Sequence, residues 1–118
     1  MLPPRIHRTN TILYCRHWME TVRFYRDTLQ LPLAMEKDWF AEFRLGRDAF
    51  LSVADARYAS VPAAAGAGIT LSWQVTDIDA VYARMRAAGV AVTPFKRVWG
   101  ARAFTFTDPE GHRIEIWS

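Results

Sequence analysis

The chain has 118 residues, of which 51% are hydrophobic and 23% charged, and its formal net charge is +3. This length suits one domain with its own core, and the balance excludes a disordered chain. The 15 Lys and Arg are scattered, which argues against a nucleic-acid partner. No apolar run approaches the roughly 20 residues of a membrane span. Cys15 is the only cysteine, which excludes an internal disulfide and favours a cytoplasmic protein.

The first half of the chain predicts a strand, a helix and three more strands. Residues 11–15 are strand formers. Spacings of three and four then predict an amphipathic helix, ended by Pro32, whose apolar stripe consists of Trp18, Val22, Tyr25 and Leu29. Short strands are predicted over residues 33–37, 39–45 and 49–53.

The second half repeats this order after a linker over about residues 56–68, which is rich in Ala, Gly and Pro. A strand over 69–75 precedes a helix with Thr76 as its N-cap and Gly89 at its C-terminal end. Further strands are predicted over 90–93, 102–107 and 113–117. We therefore expect a single domain over 1–118, built from two modules at about 5–55 and 69–118, since one module alone cannot bury both its sheet face and its helix.

The chain ends in a predicted hairpin. Its strands alternate apolar and polar residues, and the connection Asp-Pro-Glu-Gly over 108–111 is turn chemistry. Glu115 is a carboxylate in the middle of the apolar last strand, where burial is costly unless a partner compensates the charge. That partner is a ligand, a metal, or an arginine such as Arg102 or Arg113.

Several segments of the chain resemble the vicinal oxygen chelate superfamily, which includes glyoxalases, extradiol dioxygenases, fosfomycin-resistance transferases and bleomycin-binding proteins. The similarity rests on the order of four motifs: residues 24–29 (FYRDTL), 75–81 (VTDIDAV), 86–90 (RAAGV), and Trp99-Gly100 followed by 108–111 (DPEG). The resemblance implies an α+β fold of two paired βαβββ modules. It further implies that these modules form a curved mixed sheet lining a cleft, with the helices on the outer face, and that the protein is a homodimer.

Enzymes of this superfamily usually hold a divalent metal through His or Glu on the first and last strands of each module. The matching first-strand positions of this chain are Asn10 and Thr70, and residues 49–53 of the first module offer no ligand type. Glu115 alone survives at a ligand position. His7, His17 and His112 lie outside the strands. We therefore expect no metal and no cofactor.

The favoured interpretation is metal-independent binding of a small apolar or aromatic molecule in the cleft, with antibiotic sequestration as its use. The strand alternation and the aromatic content select the following ligand-binding residues: Asn10, Tyr14, Trp39, Phe50, Thr70, Ser72, Trp99, Thr105, Glu115 and Trp117. Dimer contact is the alternative for Trp39 and Trp99. Two other functions stay open: a metal-dependent lyase, isomerase or dioxygenase that uses Glu115, and a non-catalytic interaction domain.

Overall fold

The structure, a computed structural model, describes residues 2–118. The chain divides into two compact units, the first ending at Ala64 and the second spanning Ala65–Ser118. Each unit has one four-stranded mixed sheet and one main helix in the order βαβββ. The α+β prediction is confirmed.

The first unit is built around the parallel pair of β1 and β4. The elements are β1 (Thr9–Cys15), α1 (Trp18–Arg23) with a π-helical continuation (Phe24–Thr28), β2 (Leu33–Lys37), β3 (Phe40–Arg44), β4 (Ala49–Asp55) and a 3-10 turn (Ala56–Tyr58). Their spatial order in the sheet is β1-β4-β3-β2. Because β1 and β4 are parallel neighbours, the chain must cross over between them, and α1 is the first element of this crossover connection.

The helix of the first unit covers one face of its sheet. Val22 and Tyr25 are fully buried, as are Val53 and Phe43 on the covered face. The indole Nε1 of Trp18 donates to the Val53 carbonyl at 2.8 Å. The apolar stripe predicted for this helix is therefore confirmed for its first three members. The helix ends before Pro32, as predicted.

The second unit repeats this plan. Its elements are β5 (Thr70–Gln74), α2 (Ile78–Ala87), β6 (Lys96–Val98), β7 (Ala101–Thr107) and β8 (Arg113–Trp117), and the spatial order of its strands is β5-β8-β7-β6. The Tyr82 ring of α2 packs edge-on against Phe104 of β7, with 5.0 Å between centroids. In both units we call the sheet face opposite the helix the open face.

Two local predictions for the second unit are wrong. Asp77, not Thr76, is the N-cap of α2, since its carboxylate accepts from the Ala80 N–H at 3.2 Å. Residues 90–93 form no strand, and the edge strand β6 starts only at Lys96, after Pro94, which has no N–H to donate to a strand ladder. Thr93 still bonds to β7: its N–H donates to the Thr105 carbonyl, and its Oγ1 accepts from the Thr105 N–H.

The turn between β7 and β8 is organised by one carboxylate. Asp108 Oδ1 accepts the backbone N–H groups of Glu110, Gly111 and His112 at 2.9–3.0 Å, and Oδ2 lies 2.8 Å from His112 Nδ1. The Asp108 side chain is fully buried. The backbone at Gly66 passes so close that a Cβ there would lie 2.3 Å from the Gly111 carbonyl. The predicted turn is confirmed, and the segment at Gly66 packs directly against its backbone.

No helix within residues 2–118 is both long and apolar enough to cross a membrane.

Candidate functional site

The open face of the second sheet brings together the polar residues predicted from strand alternation. Ser72 of β5 and Thr105 of β7 are the register partners of Glu115 in β8, one on each side. Their chain neighbours point to the helix and form the core, among them the buried Ile114 and Phe104. Side chains two apart on a strand share a face, so one carboxylate and two hydroxyls lie side by side on the open face.

A hollow of about 390 Å³ lies over this part of the open face. It is lined by Ser72, Val98, Trp99, Ala101, Ala103, Glu115 and Trp117. Two of these side chains are polar, and the rest are apolar or aromatic. This volume and composition are typical of small-molecule pockets, in which a few polar groups orient a largely apolar ligand.

Glu115 is the single charged group in the lining of this hollow. The Ser72 hydroxyl donates to its Oε1 at 3.0 Å. Neither arginine expected as an alternative partner pairs with it, because Arg102 binds Asp79 and Arg113 donates to Thr70. Within residues 2–118, Glu115 has no salt bridge. A cation or a hydrogen-bond donor in the hollow would therefore find this carboxylate without a competing cationic partner.

The remaining predicted residues of the second unit fit this picture in different ways. Trp117 lies in the lining, and Trp99 stands fully exposed at the tip of the hairpin between β6 and β7. Thr105 is only 9% exposed, and its hydroxyl lies 3.3 Å from that of Thr93, so little of it is available. Thr70 is exposed at the start of β5 and accepts a hydrogen bond from Arg113.

The open face of the first unit carries a polar cluster that includes a residue missed in the sequence. Asn10 and Phe50 are register partners on β1 and β4, and Tyr14 lies further along the same face of β1. Glu42 of β3 pairs in register with Ser52, which puts its carboxylate on this face as well. The alternation of Phe40, Glu42 and Arg44 with buried Ala41 and Phe43 was the available signal. It was missed because only the last strand of the module was searched for a carboxylate.

Trp39 does not lie on the open face. It precedes β3 and lines a different hollow of the first unit, of about 710 Å³, together with Trp18, Asp55 and Tyr58. Asp55 is 2% exposed, and Arg57 holds its carboxylate with an Nη2–Oδ2 distance of 2.8 Å. This hydrogen bond to the guanidinium lowers the pKa of Asp55 below its ordinary value. The role of Trp39 in ligand binding stays a prediction.

Residues 5–116 match the family model of the Glyoxalase/Bleomycin resistance protein/Dioxygenase superfamily. The chain belongs to this superfamily. It is similar in structure to a glyoxalase/bleomycin resistance protein/dioxygenase from Nocardioides, with 27% identity, a TM-score of 0.81, and coverage of 98% of this chain and 85% of that one. No curated protein sequence matches the chain.

Two further superfamily structures have lower identity and show the fold alone. A lactoylglutathione lyase from Agrobacterium tumefaciens has 24% identity and a TM-score of 0.80, covering 98% of this chain and 94% of that one. TnmS3, an antibiotic binding protein from Streptomyces sp. CB03234, has 23% identity and a TM-score of 0.79, covering 98% of this chain and 97% of that one. One fold thus serves both a lyase and a binding protein, so function must be argued from the site.

The residues of this chain do not fit the divalent metal centre of the superfamily's enzymes. The open faces offer an amide at Asn10, hydroxyls at Ser52 and Thr70, and carboxylates at Glu42 in the first unit and Glu115 in the second. Amide and hydroxyl oxygens are weak ligands for zinc, iron or nickel. Within the part of the chain that the structure describes, no group of three or more His, Cys, Asp or Glu is placed to hold a metal ion. The one well-buried imidazole, His112, is engaged with Asp108.

Proposed function

We propose that the chain binds a small, largely apolar or aromatic molecule without a metal, through the open faces of its sheets. The observation that carries this proposal is the hollow of the second unit, where aromatic and small apolar side chains surround one carboxylate that lacks a cationic partner. Trp117 and Trp99 offer stacking surfaces for a planar ring, and each such contact contributes about 0.5–1.5 kcal/mol beyond the area it buries.

Glu115 gives the hollow its selectivity. A carboxylate beside an apolar lining has lost part of its hydration, and a ligand that brings a positive charge or an N–H donor restores it. The hydroxyl of Ser72 satisfies one oxygen and fixes its direction. We therefore propose an aromatic ligand that carries a protonated amine or an N–H group. Sequestration of such a compound, as an antibiotic binding protein does, is the biological use that we propose.

The test uses the fluorescence of the chain's own tryptophans. We expect 9-aminoacridine, a planar aromatic cation, to quench the fluorescence of the untagged protein saturably, and neutral anthracene-9-methanol to bind more weakly. E115Q should weaken the binding of 9-aminoacridine about tenfold, because a charged hydrogen bond is lost, and W117A should weaken the binding of both probes. D48N, at an exposed aspartate in the turn before β4, is the matched control.

Two results contradict the proposal. The first is an affinity for 9-aminoacridine that is the same in the wild type, E115Q and W117A. The second is about one tightly held metal ion per chain in protein purified without chelator, with the metal lost in E115Q.

We also propose that the chain acts as a homodimer. Strand β2 is an edge strand whose five residues are all exposed, and Leu33 and Met35 are each 39% exposed. An uncovered edge of this kind is a template for pairing with another chain. Light scattering coupled to gel filtration tests this, and a monomer at micromolar concentration contradicts it.

A further inference from the structure

The open face of the first unit holds one of the chain's own cations between an aromatic ring and a carboxylate. The guanidinium carbon of Arg8 lies 3.7 Å from the centroid of the Phe50 ring. The Nη2 of the same guanidinium lies 2.5 Å from Glu42 Oε2. A planar cation is thus bound by a cation–π contact and an ion pair at once, which is how proteins recognise such groups in ligands.

Glu42, one of the two groups that hold Arg8, also has a polar contact that does not involve Arg8. Ser52 is fully buried, and its hydroxyl donates to Asn10 Oδ1 at 2.8 Å. The Asn10 amide nitrogen then lies 3.4 Å from Glu42 Oε1. The Glu42 side chain is only 12% exposed, and Phe50 is 6% exposed. With Arg8 seated, the ring and the carboxylate thus form a nearly buried site, which we name the Phe50–Glu42 socket.

Arg8 is held less firmly than the socket itself. It precedes β1 in a segment over residues 2–8 that has no regular secondary structure and is exposed throughout. Its side chain is 45% exposed. A neighbouring cation behaves differently: Arg44 lies 4.8 Å from the same ring, but its Nη1 donates to the Arg47 carbonyl and it makes no ion pair with Glu42. Removal of Arg8 would take away the salt-bridge partner of Glu42, and another cation could then take its place.

We propose that the Phe50–Glu42 socket is a binding site for a planar organic cation, an amidinium or guanidinium group, and that Arg8 occupies the socket in the free protein and leaves it when the ligand binds. The inference rests on the proposed function, because Asn10 and Phe50 belong to the proposed ligand-binding faces. The inference adds to the proposed function a class of ligand, planar organic cations, and a residue of the chain, Arg8, that competes with this ligand for its site. The ligand competes with Arg8, so its apparent affinity is reduced by the fraction of protein in which Arg8 is seated.

The experiment titrates benzamidine and its neutral isostere benzamide into 15N-labelled protein and follows the Asn10 side-chain amide and the Glu42 backbone amide. We expect R8A to bind benzamidine at these positions at least fivefold more tightly than the wild type. R5A, an arginine of the same segment without a salt bridge in the described residues, should behave as the wild type does. Benzamide should not distinguish R8A from the wild type, and R8A/E42Q should lose the gain. R8Q keeps the length of the side chain and serves if R8A proves unstable.

Equal benzamidine affinity in R8A, R8Q and the wild type overturns the inference. It is also overturned if R8A/E42Q binds benzamidine as tightly as R8A does, or if R8A binds benzamide more tightly than the wild type does. The proposed function fails separately, through 9-aminoacridine and E115Q. If benzamidine shifts only the amide signals of Ser72 and Trp117, in the wild type as well as in R8A and R8Q, the proposal of a ligand site at the socket is refuted while the proposed function stands.

Discussion

Trp99 lies at the tip of the hairpin between β6 and β7, where its backbone has a positive φ that large side chains disfavour. Val98 and Ala101 are paired, and the two residues between them, Trp99 and Gly100, have φ values of +52° and +79°. Positive φ at both central positions is the arrangement of a type I′ turn, for which Asn-Gly is the preferred sequence. Trp99 is 101% exposed, so no packing within the chain compensates its conformation.

We predict that Trp99→Asn stabilises the protein and weakens ligand binding. A left-handed conformation costs an ordinary residue about 1–2 kcal/mol, and Asn escapes much of this cost, so we expect a gain of about 1 kcal/mol in the free energy of unfolding. Loss of one stacking surface removes about 0.5–1.5 kcal/mol of binding, which corresponds to roughly two- to twelvefold weaker binding of 9-aminoacridine. Urea unfolding and fluorescence titration measure the two effects on the same protein.

Trp39→Asn serves as the control for stability. Trp39 is 38% exposed and packs on Phe40, with 5.4 Å between ring centroids, so the same substitution should destabilise the protein there. A loss of stability in Trp99→Asn would refute the account, because it would mean that the indole contributes contacts in the folded state. Unchanged 9-aminoacridine affinity in Trp99→Asn would show that the Trp99 side chain does not contact the ligand in the hollow.

Three further predictions concern stability. Asp108→Ala should cost about 3 kcal/mol in urea unfolding, because buried N–H groups lose their acceptor, whereas the exposed Asp48→Ala should cost under about 0.5 kcal/mol. Gly66→Ala should cost about 3–4 kcal/mol, since its φ of +79° is joined by a backbone clash at 2.3 Å, and Gly68→Ala, with φ +80° and open space, only about 1 kcal/mol. The hydrogen bond from Arg57 lowers the pKa of Asp55 below its ordinary 3.8, so the carboxylate stabilises the fold above pH 3.8, and this stabilisation is lost as the pH falls through the lowered pKa. Asp55→Asn should therefore make the free energy of unfolding fall less steeply with pH in the acid range.

Strand alternation predicted the open face of the second unit correctly. Because successive side chains of a strand point to opposite faces, the face of one residue determines the face of all the others. The apolar residues next to Glu115 and Ser72 along their strands belong to the core, so Glu115 and Ser72 must lie on the opposite face. The turn at Asp108 was predictable for a similar reason. Asp, Pro and Gly each restrict or permit particular backbone angles, so local chemistry alone determines that turn.

The errors arose where the answer depends on pairing between distant segments. Strand β6 begins after Pro94 and not at Val90, and only the pairing of Lys96 with Ala103 shows where this edge strand lies. Glu42 was overlooked because its significance comes from its register with Ser52, ten residues away along the chain but adjacent across the sheet. Arg8 lies outside any element, and nothing in its local sequence indicates that it reaches the Phe50 ring.

The two units place a carboxylate on different strands of the same βαβββ plan, β3 in the first unit and β8 in the second. On each open face a glutamate is the register partner of a serine: Glu42 with Ser52, and Glu115 with Ser72. The first carboxylate is already paired with Arg8, whereas the second has only a neutral hydroxyl. A cation that binds the second unit therefore meets a carboxylate without a charge partner, whereas a cation that binds the first unit must displace Arg8. Arg8 thus sets a threshold at the first unit that only planar, strongly charged groups exceed. The R8A variant should accordingly bind a wider range of cations than the wild type, and a benzylamine titration of both proteins measures that difference directly.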